Sequence, residues 1–464
     1  MLQLVAYGAQ DVYITGNPQV TFFKLVYRRH TNFSMETIEQ TFNGNPDFGK
    51  KVTCTLSRNG DLIHKIWLWV KLPQVSLGGN TGTNSFRWLN FLGHLLIDWV
   101  EFEIGGQKID KQYGEWMQIY TELSLKPGHA SGYANMIGNV PALTNLATAA
   151  SGTTTVGPAN GVSLYVPLQF YFCRNPGLAV PLVALQYHEV KINLEFRPIH
   201  ECCHYTGTLP PTARMAYAAL LVDYVFLDSD ERRRFAQVSH EYLISQLQFT
   251  GSESATSTSN KFKLAFNHPT KEIIWTSVKE QFTKSATDGG PEYGRQWFNF
   301  STKVDTTYLT GSSLDPLGGG VGFGAGGNDW ITDAALSNLA GSFGTYDISA
   351  FATAGDNPTV SAKLVLNGHD RFSERDGRWF NLAVPYTTHE NIPPTGINVY
   401  SFGLRPEEHQ PSGSINFSRV DVANLHLTLS PEAISNGGCK VKIYAVSYNI
   451  LRIMSGMGGL AYSN

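Results

Sequence analysis

The stretch that most limits what this chain can become is V-K-I-N-L-E-F at residues 190–196, where apolar and polar side chains alternate without a break. Successive side chains on a strand point to opposite faces. Val190, Ile192, Leu194 and Phe196 therefore share one face, and Lys191, Asn193 and Glu195 the other. The pattern predicts a half-buried antiparallel strand with one face on a core. Residues 216–227 follow as an apolar strand with no polar face, expected to be covered on both sides. A similar pair returns near the C-terminus: residues 420–429, where Leu425, Leu427 and Leu429 alternate with His426 and Thr428, and then residues 441–451. Each pair follows earlier strands and one long insertion, so the chain reads as two halves on one plan.

The earlier strands are marked by local chemistry. Residues 52–56 alternate, R-N-G-D at 58–61 makes a turn, and residues 63–72 form a strongly apolar strand ended by Pro73. Residues 100–104 and 107–110 flank Gly105-Gly106, the signature of a β-hairpin. Trp116, Ile119, Tyr120 and Leu123 recur at helical spacing, and Pro127-Gly128 ends that short helix. Residues 130–161, poor in charge and rich in Ala, Thr, Gly and Asn, read as a surface excursion with little to build a core. After D-S-D-E-R-R-R-F at 228–235 the strand pattern restarts at 262–266 and 271–278. A second excursion spans 311–356, and residues 363–366 then turn at Asn367-Gly368. The fold class is all-β: two consecutive β-sandwiches with long loop insertions and few short helices. The expected divisions are an N-terminal arm at 1–24, a first sandwich at 25–227, a linker at 228–239 and a second sandwich with a C-terminal tail at 240–464.

The totals exclude several function classes. A net charge of −3 over 464 residues supplies no field to gather nucleic acid, so direct genome coating is not expected. Cys54, Cys173, Cys202, Cys203 and Cys439 lack paired spacing and read as buried thiols of a reducing compartment. Residues 1–13 lack the basic start and apolar run of a signal peptide, and the apolar region 88–104 is broken by Asn90, Gly93, His94, Asp98 and Glu101. Synthesis in the cytosol is expected.

No motif for chemistry survives inspection. His200-Glu-Cys-Cys-His204 tempts as a metal site, but adjacent Cys202 and Cys203 would point apart on an extended chain and no second cluster follows. The glycine run 318–327 lacks the Gly-Lys-Ser/Thr ending of a phosphate loop. Arg232, Arg233 and Arg234 lie beside Asp228, Asp230 and Glu231, which favours ion pairs within or between subunits over phosphate binding, and Arg28-Arg29-His30 forms a second basic cluster. Sequons occur at Asn32, Asn299 and Asn416, and Trp330 and Tyr346 are aromatic candidates for sugar or partner contacts that more often pin their own loop. No catalytic, cofactor-binding or metal-binding residue is assigned, no cofactor is expected, and the protein is not expected to be an enzyme. In the turn feeding the penultimate strand, Arg419 and Asp421 are expected to share a face and fix the strand start.

Several stretches, in order from end to end, resemble one family. They are A-Y-G-A-Q-D-V-Y-I-T-G-N-P-Q-V-T-F-F-K (6–24), Y-R-R-H-T-N-F (27–33), R-N-G-D-L-I (58–63), P-L-V-A-L-Q-Y-H-E-V (181–190), D-E-R-R-R-F-A-Q (230–237), H-E-Y-L-I (240–244), P-S-G-S-I-N-F-S-R-V-D (411–421) and S-Y-N-I-L-R-I-M-S-G-M-G-G-L-A-Y (447–462). The chain thereby resembles the major capsid proteins of the large nucleocytoplasmic DNA viruses, most closely those of the marseillevirus group. The insertions carry no motif of the resemblance.

The resemblance implies two consecutive eight-stranded jelly rolls, a double jelly roll. It further implies a homotrimeric, pseudo-hexagonal capsomer that tiles an icosahedral shell outside an internal membrane. Neighbouring capsomers, minor capsid proteins beneath the shell and the inner membrane near the arm are the implied partners. The implied location is the virion, with synthesis and assembly in the host cytoplasm. The alternative from another class is a carbohydrate-binding or carbohydrate-active β-sandwich protein.

Overall fold

A computed structural model of the chain describes residues 8–77, 84–148, 155–292, 294–305 and 356–462. In the first half, one sheet holds Phe33–Thr41 (β1), Leu62–Leu72 (β3), Val162–Pro167 (β6) and Tyr217–Leu227 (β8), in the order β1-β8-β3-β6. Its partner holds Lys51–Thr55 (β2), Ile97–Ile104 (β4), Gln107–Tyr113 (β5) and Val190–Phe196 (β7), in the order β2-β7-β4-β5. Ile66, Leu68 and Val70 from one sheet and Val100, Phe102, Ile192 and Leu194 from the other fill the space between them. Strand β7 alternates buried and half-buried along its length, as V-K-I-N-L-E-F requires.

The second half repeats the topology. His240–Ala255 (β9), Pro269–Lys279 (β11), Ile397–Ser401 (β15) and Cys439–Met454 (β17) lie in the order β9-β17-β11-β15. Facing them, Ser259–Lys263 (β10), Thr359–Leu366 (β12), His369–Asp370 (β13) and Ala423–Leu429 (β16) lie in the order β10-β16-β12-β13, with Arg375–Asp376 (β14) also on β12. Each half thus follows the eight-strand path of a jelly roll, with β14 added at an edge of the second, and the fold is a double jelly roll. The hairpin at Gly105-Gly106 forms with φ of 57° and 84°, and a Cβ on Gly105 would strike the His188 ring.

Three helical elements matter below. Gly114–Ser124 (α1) carries the Trp116, Ile119, Tyr120 and Leu123 stripe. Ser229–Gln237 (α2) occupies the stretch expected as a linker. Trp379–Ala383 is a π-helical turn that runs into Val384–Thr388 (α3).

Two expectations are corrected. Residues 130–161 are not a coreless excursion. They hold helices Ala130–Ile137 and Pro141–Thr144, and Ile137, Leu143, Ala147 and Val156 are buried. Tyr133 also ties this segment to the core through His94, whose ring bonds Tyr133 and Gln118, each at 2.7 Å. Sparse apolar residues suffice here because they close over an existing sandwich instead of building one. Second, β8 is not covered on both faces: Tyr217 is exposed and Leu221 and Asp223 are half-buried.

The residues before β1 bury nothing in the described chain. Tyr13, Phe22 and Phe23 are 94%, 91% and 99% exposed, and the uncovered stretch continues past Lys24 to the start of β1.

Candidate functional site

Four of the stretches that carried the resemblance, 58–63, 181–190, 230–237 and 447–462, meet at one end of the first roll. The Asp61 carboxylate, from the R-N-G-D turn, accepts from the Leu227 amide at 2.8 Å and from Arg232 Nε at 2.8 Å. Arg58, from the same turn, donates to the carbonyls of Gln186 and His188 at 3.0 and 3.3 Å. The next link runs to the C-terminus: Tyr187 N donates to Gly456 O at 3.0 Å and Gly458 N to His188 Nδ1 at 3.2 Å. Among the described residues, Arg233 and Arg234 pair with Asp230 and Glu231 on their own helix, each at 4.0 Å. The arm leaves from this same end, because Phe33 pairs with Leu227.

Beyond this junction the rolls lie side by side. Leu247 N on β9 donates to Asp110 Oδ1 on β5 at 3.1 Å, Gln246 Nε2 donates to Ile109 O, and the Tyr113 and Phe249 rings meet at 5.0 Å. Residue numbers rise together along both strands, so β5 and β9 run parallel. The two rolls therefore point the same way. Val162 pairs with Leu72, at the end of β3 remote from the junction, so residues 130–161 rejoin the sheet there. Lys279 and Ala255 both pair with Cys439, while His240 pairs with Ile453 at the junction end. The segment after β11 hence also leaves at the remote end. Its base is closed where Thr302 N donates to Asp356 O and Asp356 N to Thr302 Oγ1, each at 3.0 Å.

Helix α1 makes the apolar part of the contact. Trp116, Ile119 and Leu123 pack with Ile274, Val399, Tyr444 and Val446 of the second roll as one buried cluster. Glu115 at the head of α1 pairs with Lys442 and accepts from Thr276 Oγ1 at 3.4 Å. Trp297 Nε1 donates to Glu201 O at 3.0 Å, and Arg197 lies 4.7 Å from the Trp297 ring. The His200–His204 stretch is thereby a platform for the second half. His200 is exposed while Cys202, Cys203 and His204 are buried. Burial pushes the Cys203 thiol up to about 12 and lowers His204 to about 4. Among the described residues, no group of three or more His, Cys, Asp or Glu side chains converges as a metal site.

Sequence reasoning missed a buried charged cluster on this contact. His389 Nε2 and Glu272 Oε2 are 2.9 Å apart. Burial works against both charges, yet each partner holds the other ionised: Glu272 is lowered and His389 raised. Lys271 is lowered to about 8 by burial, and Glu407 is raised to about 7, chiefly by burial. Arg174 of the first roll, 4.0 Å from the Tyr120 ring, adds its positive field to Lys271 and Glu272. These residues are scattered over more than two hundred positions, with no local pattern to signal them.

Arg419 and Asp421 do not fix the start of β16. Both are exposed, and Phe417–Arg419 is a 3-10 turn, so strand alternation has not begun there. Ser418 Oγ instead accepts from His268 N at 2.8 Å, Asn416 Oδ1 from Ser418 N at 3.0 Å, and Asn367 Oδ1 from Val422 N at 2.9 Å. Asn299 bonds Gln296 and Lys303, Asn32 is exposed, and Arg28, Arg29 and His30 lie on the exposed arm. The glycine run 318–327, Trp330 and Tyr346 lie outside the described residues.

The two rolls lie side by side, with the arm leaving β1 at one end and residues 130–161 and the segment after β11 joining their sheets at the other. Known proteins agree with this arrangement. Residues 21–228 match the family described as major capsid protein N-terminus, and residues 231–459 match large eukaryotic DNA virus major capsid protein. The major capsid protein of Phaeocystis pouchetii virus is 49% identical, covering 100% of this chain and 99% of the relative. That of Paramecium bursaria Chlorella virus 1 is 41% identical over 100% and 99%. A solved structure titled as the PBCV-1 virus capsid, quasi-atomic model, is 36% identical with a TM-score of 0.70, covering 96% of this chain and 100% of that one. These matches do not single out the marseillevirus group, and they decide against the carbohydrate alternative. Such relatives are structural components of the virion and not enzymes. Two rolls of one topology, locked in parallel and matched along their whole length, make this chain a member of the major capsid protein family of the large eukaryotic DNA viruses.

Proposed function

We propose that the chain builds the icosahedral shell as a homotrimer with a pseudo-hexagonal outline. The observation that carries this reading is the parallel, side-by-side packing of β5 on β9. If neighbouring chains repeat the contact that the two rolls make within one chain, three chains supply six rolls and close a ring. The arm then emerges from every subunit on one side of the block and the insertions on the other. On this reading the arm faces inward, toward minor capsid proteins and the inner membrane, and neighbouring capsomers meet at the block's sides. The folding units are the rolls within 25–227 and 240–464, the first opening at β1, joined through 228–239. The near-neutral chain does not contact the genome directly, and the shell assembles in the host cytoplasm.

Sedimentation and negative-stain imaging of the purified full chain test this. Particles of trimer mass with a hexagonal outline are expected. A strict monomer at micromolar concentration overturns the trimer.

A further inference from the structure

Each roll has an outer face on its β1/β9-containing sheet, and among the described residues only that of the second roll is covered. In the second roll that face carries Ile274, Val399 and Tyr444, and α1 of the first roll seals it. Tyr444 is 1% exposed. In the first roll, Ile66, Leu68 and Val70 face the core, so Trp67 and Trp69 of β3 face outward, beside Tyr165 of β6 and Tyr217 of β8. Here Tyr165 and Tyr217 remain 37% and 36% exposed. Their rings are already ordered: Trp69 stacks on Tyr165 at 6.3 Å and meets Tyr217 edge-on at 5.5 Å. An ordered aromatic patch left half open in the single chain marks an interaction surface.

The second roll also carries a plug with no socket. Its π-helical turn and α3 occupy the same connection that α1 occupies in the first roll, between the fifth and sixth strands of the topology. Phe380 and Val384 turn into buried clusters. Leu382 and Tyr386, four residues apart, face solvent, with Tyr386 76% exposed. Trp116 and Tyr120 have the same spacing on α1, where they meet the second roll. Charge is complementary as well. Within the chain Glu115 at the head of α1 pairs with Lys442 on the sheet. Exposed Arg378 heads the other helical segment, and Glu39 lies on the outer sheet face, where it accepts from Tyr217.

We infer that the Trp67, Trp69, Tyr165 and Tyr217 face receives residues 379–388 of a second copy of this chain, repeating between chains the contact that α1 makes within one. The inference rests on the trimeric reading and names its interface. Leu382 and Tyr386 enter the aromatic patch, and Arg378 approaches Glu39. The incomplete cover over β8 follows directly, because the missing layer belongs to the next subunit.

The test uses the full chain. L382E/Y386E changes only exposed side chains, so its circular dichroism stays that of the wild type, while its trimer weakens about 100-fold, as for loss of interface hot spots. Y165E gives the same result from the other side. In a Y165C/Y386C variant a short bismaleimide joins chains into covalent dimers and trimers, and the wild type, Y165C alone and Y386C alone, which keep the five native cysteines, are not joined. A wild-type monomer removes the trimeric reading and this inference together. A wild-type trimer whose L382E/Y386E and Y165E variants stay trimeric, with no cross-link, overturns the interface and leaves the trimer standing.

Discussion

Arg232 Nε lies 2.8 Å from Asp61 Oδ1, which joins the helix between the rolls to a turn 171 residues earlier. The two partners differ in what else depends on them. Asp61 is buried and also accepts the Leu227 amide, whereas Arg232 is half exposed. Asp61→Ala should lower stability by about 1–3 kcal/mol, the cost of a stranded buried donor. Arg232→Ala should cost far less, because solvent screens an exposed pair. Urea melts of both variants check this, and equal losses would refute it.

Trp116 crosses from α1 into the second roll, where it meets Tyr444 at 5.4 Å. Trp116→Ala should cost about 3–5 kcal/mol. It should also split the calorimetric transition in two, as the rolls lose their shared cluster. A single undisplaced transition would show that the rolls hold together by other means.

Glu407 titrates near 7 in the folded chain, against 4.5 for an ordinary glutamate, chiefly because it is buried, with His389 opposing and Glu272 adding to the rise. The folded state thus binds this proton more tightly than the unfolded state. Above pH 7 the buried carboxylate is ionised and destabilising, and that cost shrinks as pH falls from 7 toward 4.5. Glu407→Gln should therefore melt higher than wild type at pH 8, with the gap closing by pH 5. Melting curves across that range that stay parallel would show that Glu407 is not the group.

The described residues of the arm, from Gly8 on, bury no side chain in their own subunit. Deleting residues 2–24 should leave trimers with an unchanged melting temperature while particle formation fails. A truncated chain that cannot fold would assign the arm to the core.

Ser418 and Arg419 are neighbours with opposite expectations. Ser418→Ala removes the acceptor for His268 N and should cost about 1 kcal/mol. Arg419→Ala, at an exposed position, should fall within about 0.5 kcal/mol of wild type.

Much of the framework was legible because its signals are local. Period-2 alternation marked β7 and β16, Gly105-Gly106 and Asn367-Gly368 marked hairpin turns, and the Trp116 to Leu123 spacing marked α1. Helix α2 was overlooked because its pattern is charge, with Asp230–Arg233 and Glu231–Arg234 three apart, and not an apolar stripe. Arg419 and Asp421 misled because alternation was extended into a 3-10 turn. The Asp61–Arg232 link and the Glu272, His389 and Glu407 cluster depend on distant segments meeting in space, which a single sequence does not encode in any window.

The bonds between Thr302 and Asp356 have an engineering consequence. They pin the two feet of a long segment together at the edge of the second roll. Loop-closure entropy rises only with the logarithm of length. A foreign sequence grafted between these feet would change the decoration of the molecule and leave its tiling dimensions intact.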